Sequence, residues 1–130
     1  MAVTLSNAAA SGAANAVVDL LDAGSSNTYP QLRINISGNA STVAALNFTG
    51  STAFGAASNG VCTAGTIADN TNAPGGTAAA FQCVDQDGTV VFSGTVTATG
   101  GGGDITLSSV AVGATDTVAV SSLTYTQPTS

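Results

Sequence analysis

The sequence predicts a mainly β domain, an antiparallel β-sandwich or jelly roll preceded by one N-terminal α-helix. Three observations point there. Beyond residue 30 the large apolar residues recur with period two, as in Leu32-Arg33-Ile34-Asn35-Ile36 and Ala44-Ala45-Leu46-Asn47-Phe48. Strand-length runs return every ten residues or so, with Gly, Asn and Asp between them. No helix-length segment separates those runs, which excludes a parallel α/β sheet. At 130 residues the chain is read as one domain, 1–130. Residues 1–6 are an arm, 7–23 the helix and 31–127 the sandwich.

The helix rests on caps and spacing. Ser6 or Asn7 can cap its start, and Gly24 stands where a left-handed residue ends a helix. Ala10, Ala13 or Ala14, Val17, Leu20 and Leu21 recur at three- and four-residue spacing and form one apolar stripe, with Asp19 and Asp22 off it. The stripe Val17, Leu20 and Leu21 is expected to pack on the sandwich.

The strands follow in order. Leu32–Ile36 and Ala44–Phe48 come first, then Val61–Ile67 and Ala78–Asp85, the last two separated by the polar loop Asp69–Gly76. Asp87-Gly88 suits a two-residue type I′ turn between Ala78–Asp85 and Thr89–Ala98. That turn sets Gln86 against Thr89, Val84 against Val91 and Cys83 against Phe92, with Phe81, Cys83, Val90, Phe92 and Val96 on the core face. Gln82, Ser93 and Thr95 take the other face. Gly100–Gly103 reads as a flexible, exposed loop before the strand Asp104–Ser108. In Thr117–Thr126 the alternation flips at Ser121-Ser122, so a bulge or a change of sheet is expected there. Pro128 ends pairing.

Composition limits the chemistry. There are seven Asp, one Arg, and no Glu, Lys or His, for a formal net charge of −6. Without His or Lys there is no ordinary general base near neutral pH and no Schiff-base amine. A single cation gives no electrostatic footprint for nucleic acid. Leu, Ile, Val and Phe number 28 of 130 residues, enough for a folded domain but a thin core. Such a chain favours burial completed against neighbours. No apolar run spans a bilayer, and Met1-Ala2-Val3-Thr4-Leu5-Ser6-Asn7 lacks the basic start of a signal peptide, so a protein that begins in the cytosol is expected.

Each candidate site has a plainer explanation. Asp85-Gln86-Asp87-Gly88 starts like a calcium loop but lacks the closing Glu, and a hairpin turn accounts for it. The tetraglycine lacks the Gly-Lys-Ser/Thr of a phosphate loop and is followed by Asp104. Cys62 and Cys83 read as two buried thiols, a disulfide being the lesser reading, and neither has a His or cation nearby in sequence to activate it. Asn35, Asn39 and Asn47 begin glycosylation triplets that chance explains in a chain so rich in Ser and Thr. Arg33 is expected opposite an Asp, within the fold or across a subunit contact. Tyr29 and Tyr125 suit either a protein contact or the rim of the core. No catalytic, cofactor-binding or metal-ligating residue is assigned, and no cofactor is implied.

Ala2-Val3-Thr4-Leu5-Ser6-Asn7-Ala8-Ala9-Ala10, Val18-Asp19-Leu20-Leu21-Asp22-Ala23-Gly24, Val90-Val91-Phe92-Ser93-Gly94-Thr95-Val96 and Ser122-Leu123-Thr124-Tyr125-Thr126-Gln127-Pro128 together resemble small virion proteins of tailed bacteriophages. The resemblance spans nearly the whole chain; the cysteines and the tetraglycine are not part of it. It implies a non-enzymatic capsid decoration (cement) protein on the outside of the head. Its partners would be the major capsid protein and further copies of the chain, as a trimer on local threefold axes. No nucleic acid, membrane or small-molecule substrate is implied. A tail, neck or fibre-associated subunit and a carbohydrate-binding or adhesive β-module are the alternatives.

Overall fold

The computed structural model describes residues 3–128. It is mainly β with one N-terminal helix, as the sequence predicts. Helix α1 spans Asn7–Asp19 and tightens into a 3₁₀ turn at Leu20–Asp22. The strands are β1 (Gln31–Asn35), β2 (Thr42–Asn47), β3 (Val61–Thr63), β4 (Gly76–Thr77), β5 (Ala80–Val84), β6 (Val90–Ala98), β7 (Ile105–Leu107), β8 (Ala111–Val112) and β9 (Thr124–Thr126).

Five strands form one curled sheet in the order β2-β1-β5-β6-β7. In place of a second broad sheet there are α1, packed with the ribbon β3-β9, and the ribbon β4-β8, which contacts β2. The sequence explains why. Thr66–Gly75 and Gly113–Thr117 are too rich in Gly, Asn, Asp and Thr to sustain ladders, so they run as irregular chain, with isolated bridges such as Ile67–Phe48 and Asn70–Val118. The core is continuous across the layers. Leu32, Ile34, Leu46, Phe48, Phe81 and Cys83 from the sheet side pack with Val18, Leu21, Cys62 and Leu123. All four Phe and Tyr125 form one chain of ring contacts, Phe48–Phe54–Phe92–Tyr125 with Phe81 on Phe92, at centroid separations of 5.0–6.4 Å.

Ser6 caps α1: its Oγ accepts from Ala9 N–H at 3.1 Å. The buried stripe is Ala10, Ala14, Val18 and Leu21: Ala10, Ala14 and Leu21 are as predicted, but Val18 takes the place of the half-buried Val17, and Leu20 turns out. Leu20 is 57% exposed. Polar staples turn the helix. Ser11 Oγ accepts from Gly60 N–H, Asn15 Oδ1 from Ala57 N–H and Asp22 Oδ1 from Ala53 N–H, at 2.8–3.0 Å. Satisfying those loop donors fixes which face can turn inward. Gly60 has φ +80°, and a Cβ there would stand 3.0 Å from that of Ala10. Of the N-terminal arm, Val3–Ser6 is described, with Val3 exposed; Met1 and Ala2 lie outside the described residues.

The hairpin register differs from the prediction near its tip. Asp85 N–H donates to Thr89 C=O and Gly88 N–H to Asp85 C=O, so the loop holds three residues, with only Gly88 at positive φ (+86°). Asp85, not Gln86, therefore faces Thr89. A bulge sets Val84 against Val90 instead of Val91, while Cys83 faces Phe92 as expected. Val90 swings out and is 45% exposed, which removes it from the core face. Asp87 Oδ1 accepts from Ser25 and Ser26 N–H, and this anchoring of the helix–β1 connection favours the longer loop.

One strand pair is parallel. β6 returns into β7 through only Thr99–Asp104, shorter than the dozen residues a parallel connection normally takes. The tetraglycine permits it. Gly103 N–H donates to Thr97 Oγ1, and a Cβ on Gly101 or Gly103 would approach the Thr97 side chain to 2.7 or 2.9 Å. The loop is exposed, as predicted, but folded down on Thr97.

Candidate interaction surface

The reactive-looking residues have structural employment. Asp85 Oδ1 accepts from Asp87 and Thr89 N–H, so both carboxylates of the supposed calcium loop bind backbone donors. Among the described residues no group of three His, Cys, Asp or Glu could hold a metal ion. Cys62 and Cys83 are both buried and free, on β3 and β5. Burial pushes both thiols above their ordinary value, helped at Cys62 by the nearby Asp19 charge. Both therefore stay protonated and are poor nucleophiles near neutral pH. Asn35 is buried, unsuited to glycosylation, whereas Asn39 is exposed and Asn47 half-buried. Tyr29 is exposed in the helix–β1 connection; Tyr125 is half-buried on the core and donates to Gln127 Oε1 at 3.0 Å.

Two surface features are open to a partner. The first is the face of the sheet turned away from α1. Register places Gln31 beside Asn47, Arg33 beside Gln82 and Gln82 beside Ser93 on that face. Their side chains bond to one another. Gln31 Nε2 donates to Asn47 Oδ1 at 3.0 Å and Arg33 Nε to Gln31 Oε1 at 3.2 Å. Asn35 Nδ2 donates to both Asn39 Oδ1 and Gln82 Oε1. The hydrogen bond of the Arg33 Nε thus goes to an amide, where a carboxylate was expected. The half-buried Asn47, Gln31, Arg33 and Gln82 make a pre-ordered row of amides around a single guanidinium, with the buried Asn35 bonded to Gln82 behind it.

The second feature is the edge of the sheet at β7. At the opposite edge, β2 is sealed: Val43, Ala45 and Asn47 C=O accept from Gly75 N–H, Asn70 Nδ2 and Ala68 N–H at 2.7–3.1 Å. Among the described residues β7 has no such cover. It borders a groove of about 550 Å³ whose far wall is the extended run Val118–Leu123. Between the Val118 bridge to Asn70 and the bond from Ala64 N–H to Leu123 C=O, residues Ala119–Ser122 make no backbone–backbone hydrogen bond among the described residues. The chain changes partner there, where the alternation flips: Val118 and Val120 are buried, then Leu123. Sequence reasoning found the flip but not the groove, which exists because β7 and residues 119–122 fail to meet.

No helix among the described residues is long and apolar enough to cross a membrane. Compared with protein-family models, curated proteins and solved structures, the chain matches none.

Proposed function

We propose that this chain is a non-enzymatic virion structural protein of a tailed bacteriophage, a capsid decoration protein that binds the outer surface of the head and stabilises it. The observation that carries the reading is the open amide face. A row of side chains already bonded to one another loses little conformational freedom on contact, which suits a surface repeated over a lattice. The resemblance of the helix, the central strand and the C-terminal segment to small phage virion proteins supports it. So does an acidic chain with a single cation, for which packing into an assembly adds stability by mass action. The major capsid protein and further copies of the chain are the proposed partners, on the capsid surface of virions assembled in the host cytoplasm.

The test is co-sedimentation with empty heads that lack the protein. The account expects saturable binding at a fixed ratio to the shell subunit and a rise in the disruption temperature of the heads. Sedimentation only at the top of the gradient would overturn it. The amide face also favours a second reading, a carbohydrate-binding module, because amides pair readily with sugar hydroxyls. Specific binding on a glycan array, lost in Gln31→Ala, would select that reading.

A further inference from the structure

We propose that the groove between β7 and Ala119–Leu123 is a docking slot for one extended, cationic segment of a partner polypeptide, which adds a strand to the open edge of the sheet. The proposal does not depend on the partner's being a shell protein.

The backbone directions define the slot. Thr99 N–H donates to Leu107 C=O at 3.0 Å, so Leu107 turns its backbone toward β6. Residues alternate along a strand, so Thr106, between Ile105 and Leu107, turns its N–H and C=O outward into the groove. Across the groove Ala119–Ser122, which make no backbone–backbone hydrogen bond among the described residues, line the second wall. Unpaired groups on an exposed strand edge are a ready template for another strand. Ile105, Leu107, Val118 and Val120 fix the two walls by burying their side chains in the core, which leaves backbone and hydroxyl groups as the main surface met by an incoming strand. The volume of about 550 Å³ lies within the range of ligand clefts.

Charge selects the occupant. The ionisable side chains lining the groove are Asp104 and Asp116, and the whole chain carries −6. Asp104 Oδ2 is engaged by Thr95, and Asp116 Oδ2 by Gly113 N–H. Both carboxylates are exposed, so Lys or Arg flanking an incoming strand can pair with them. A second copy of the same acidic chain would bring like charges together.

The probe is a capped nonapeptide alternating valine and threonine with a lysine near each end, compared with the same peptide carrying glutamates. NMR titration of the full chain is expected to show the lysine peptide binding, with shifts centred on Thr106 and Ala119–Ser122. The glutamate peptide should bind roughly tenfold more weakly, the effect of two exposed ion pairs together. Thr106→Pro removes the outward N–H while leaving the bonds of Leu107 to β6 available, and should abolish binding. A double Asp104→Asn, Asp116→Asn variant keeps oxygen acceptors for Thr95 and Gly113; it should bind both peptides alike, and it decides the matter if the proline variant does not fold. Three results overturn the proposal: no binding at millimolar peptide, shifts centred on the amide face, or self-association detected by sedimentation with exchange broadening centred on Thr106 and Ala119–Ser122.

Discussion

The two edges of the same five-stranded sheet have opposite fates. At β2, the segment 68–75 supplies three donors to alternate carbonyls, and the edge is closed. At β7, the segment that could have done the same, Ala119–Ser122, stands off and leaves a groove. Both segments are built from short side chains, but only the first contains an amide. Anchoring separates them. Asn70 supplies a side-chain donor to Ala45 C=O and pairs its backbone with Val118, which pins the first segment down at its middle. The second is held only at its ends, by that same Val118 pairing and by the bond from Ala64 to Leu123. One well-placed amide decides whether an edge is sealed.

The largest effect should come from the sealed side. Phe48 follows β2, is 1% exposed and meets Phe54 at a centroid distance of 5.6 Å. Phe48→Ala should lower unfolding free energy by about 3–5 kcal/mol in urea titration. Val120→Ala, on the open side, should cost only about 1.5 kcal/mol; equal losses would break the contrast. Next comes the amide itself. Asn70→Ala leaves Ala45 C=O without its donor and should cost about 1–2 kcal/mol, with faster amide exchange at Ala68 and Asn72. A smaller global loss with no change in exchange would show that the edge is closed by packing instead.

A pH effect follows at the hairpin tip. The N–H groups of Ser25 and Ser26 hold the Asp87 carboxyl below its ordinary range. A group whose folded value is depressed stabilises the fold above its unfolded value and loses that contribution as pH falls through the folded one. Thermal melts should therefore drop more steeply for the native chain than for Asp87→Asn below about pH 4, the ordinary Asp value. Parallel curves would remove Asp87 as an anchor. The smallest effect is expected at Leu20, which is 57% exposed and touches neither edge. Leu20→Ser should change stability by less than about 0.5 kcal/mol. A loss of several times that would restore the helix stripe that the sequence predicts.

What the sequence made legible follows from local rules. The Ser6 cap, the period-two runs of β1 and β2, the pairing of Cys83 with Phe92 and the break at Ser121-Ser122 all rest on neighbours a few residues apart. The misses are non-local. The helix face is set by Ser11, Asn15 and Asp22 reaching loop donors 31–49 residues away in sequence. Asp87 anchors residues 61 and 62 positions earlier, which turned a two-residue loop into a three-residue one. The tetraglycine signalled freedom, whereas its use is close approach to Thr97 and a parallel turn back into β7. The amide face was half visible, since Gln82 and Ser93 were placed outside the core, but its partners on β1 and β2 required the strand order. The groove left no local signal at all, because it is a missing pairing between two segments.

Residue-by-residue amide hydrogen exchange of the free chain in solution bears most directly on the contrast between the edges. Ala68, Gly75 and the ladder amides of β1 should be slowed by orders of magnitude, while Thr106 and Ala119–Ser122 exchange close to the rate of an unprotected peptide. Comparable protection at both edges would contradict the account, for it would mean that β7 already has its strand.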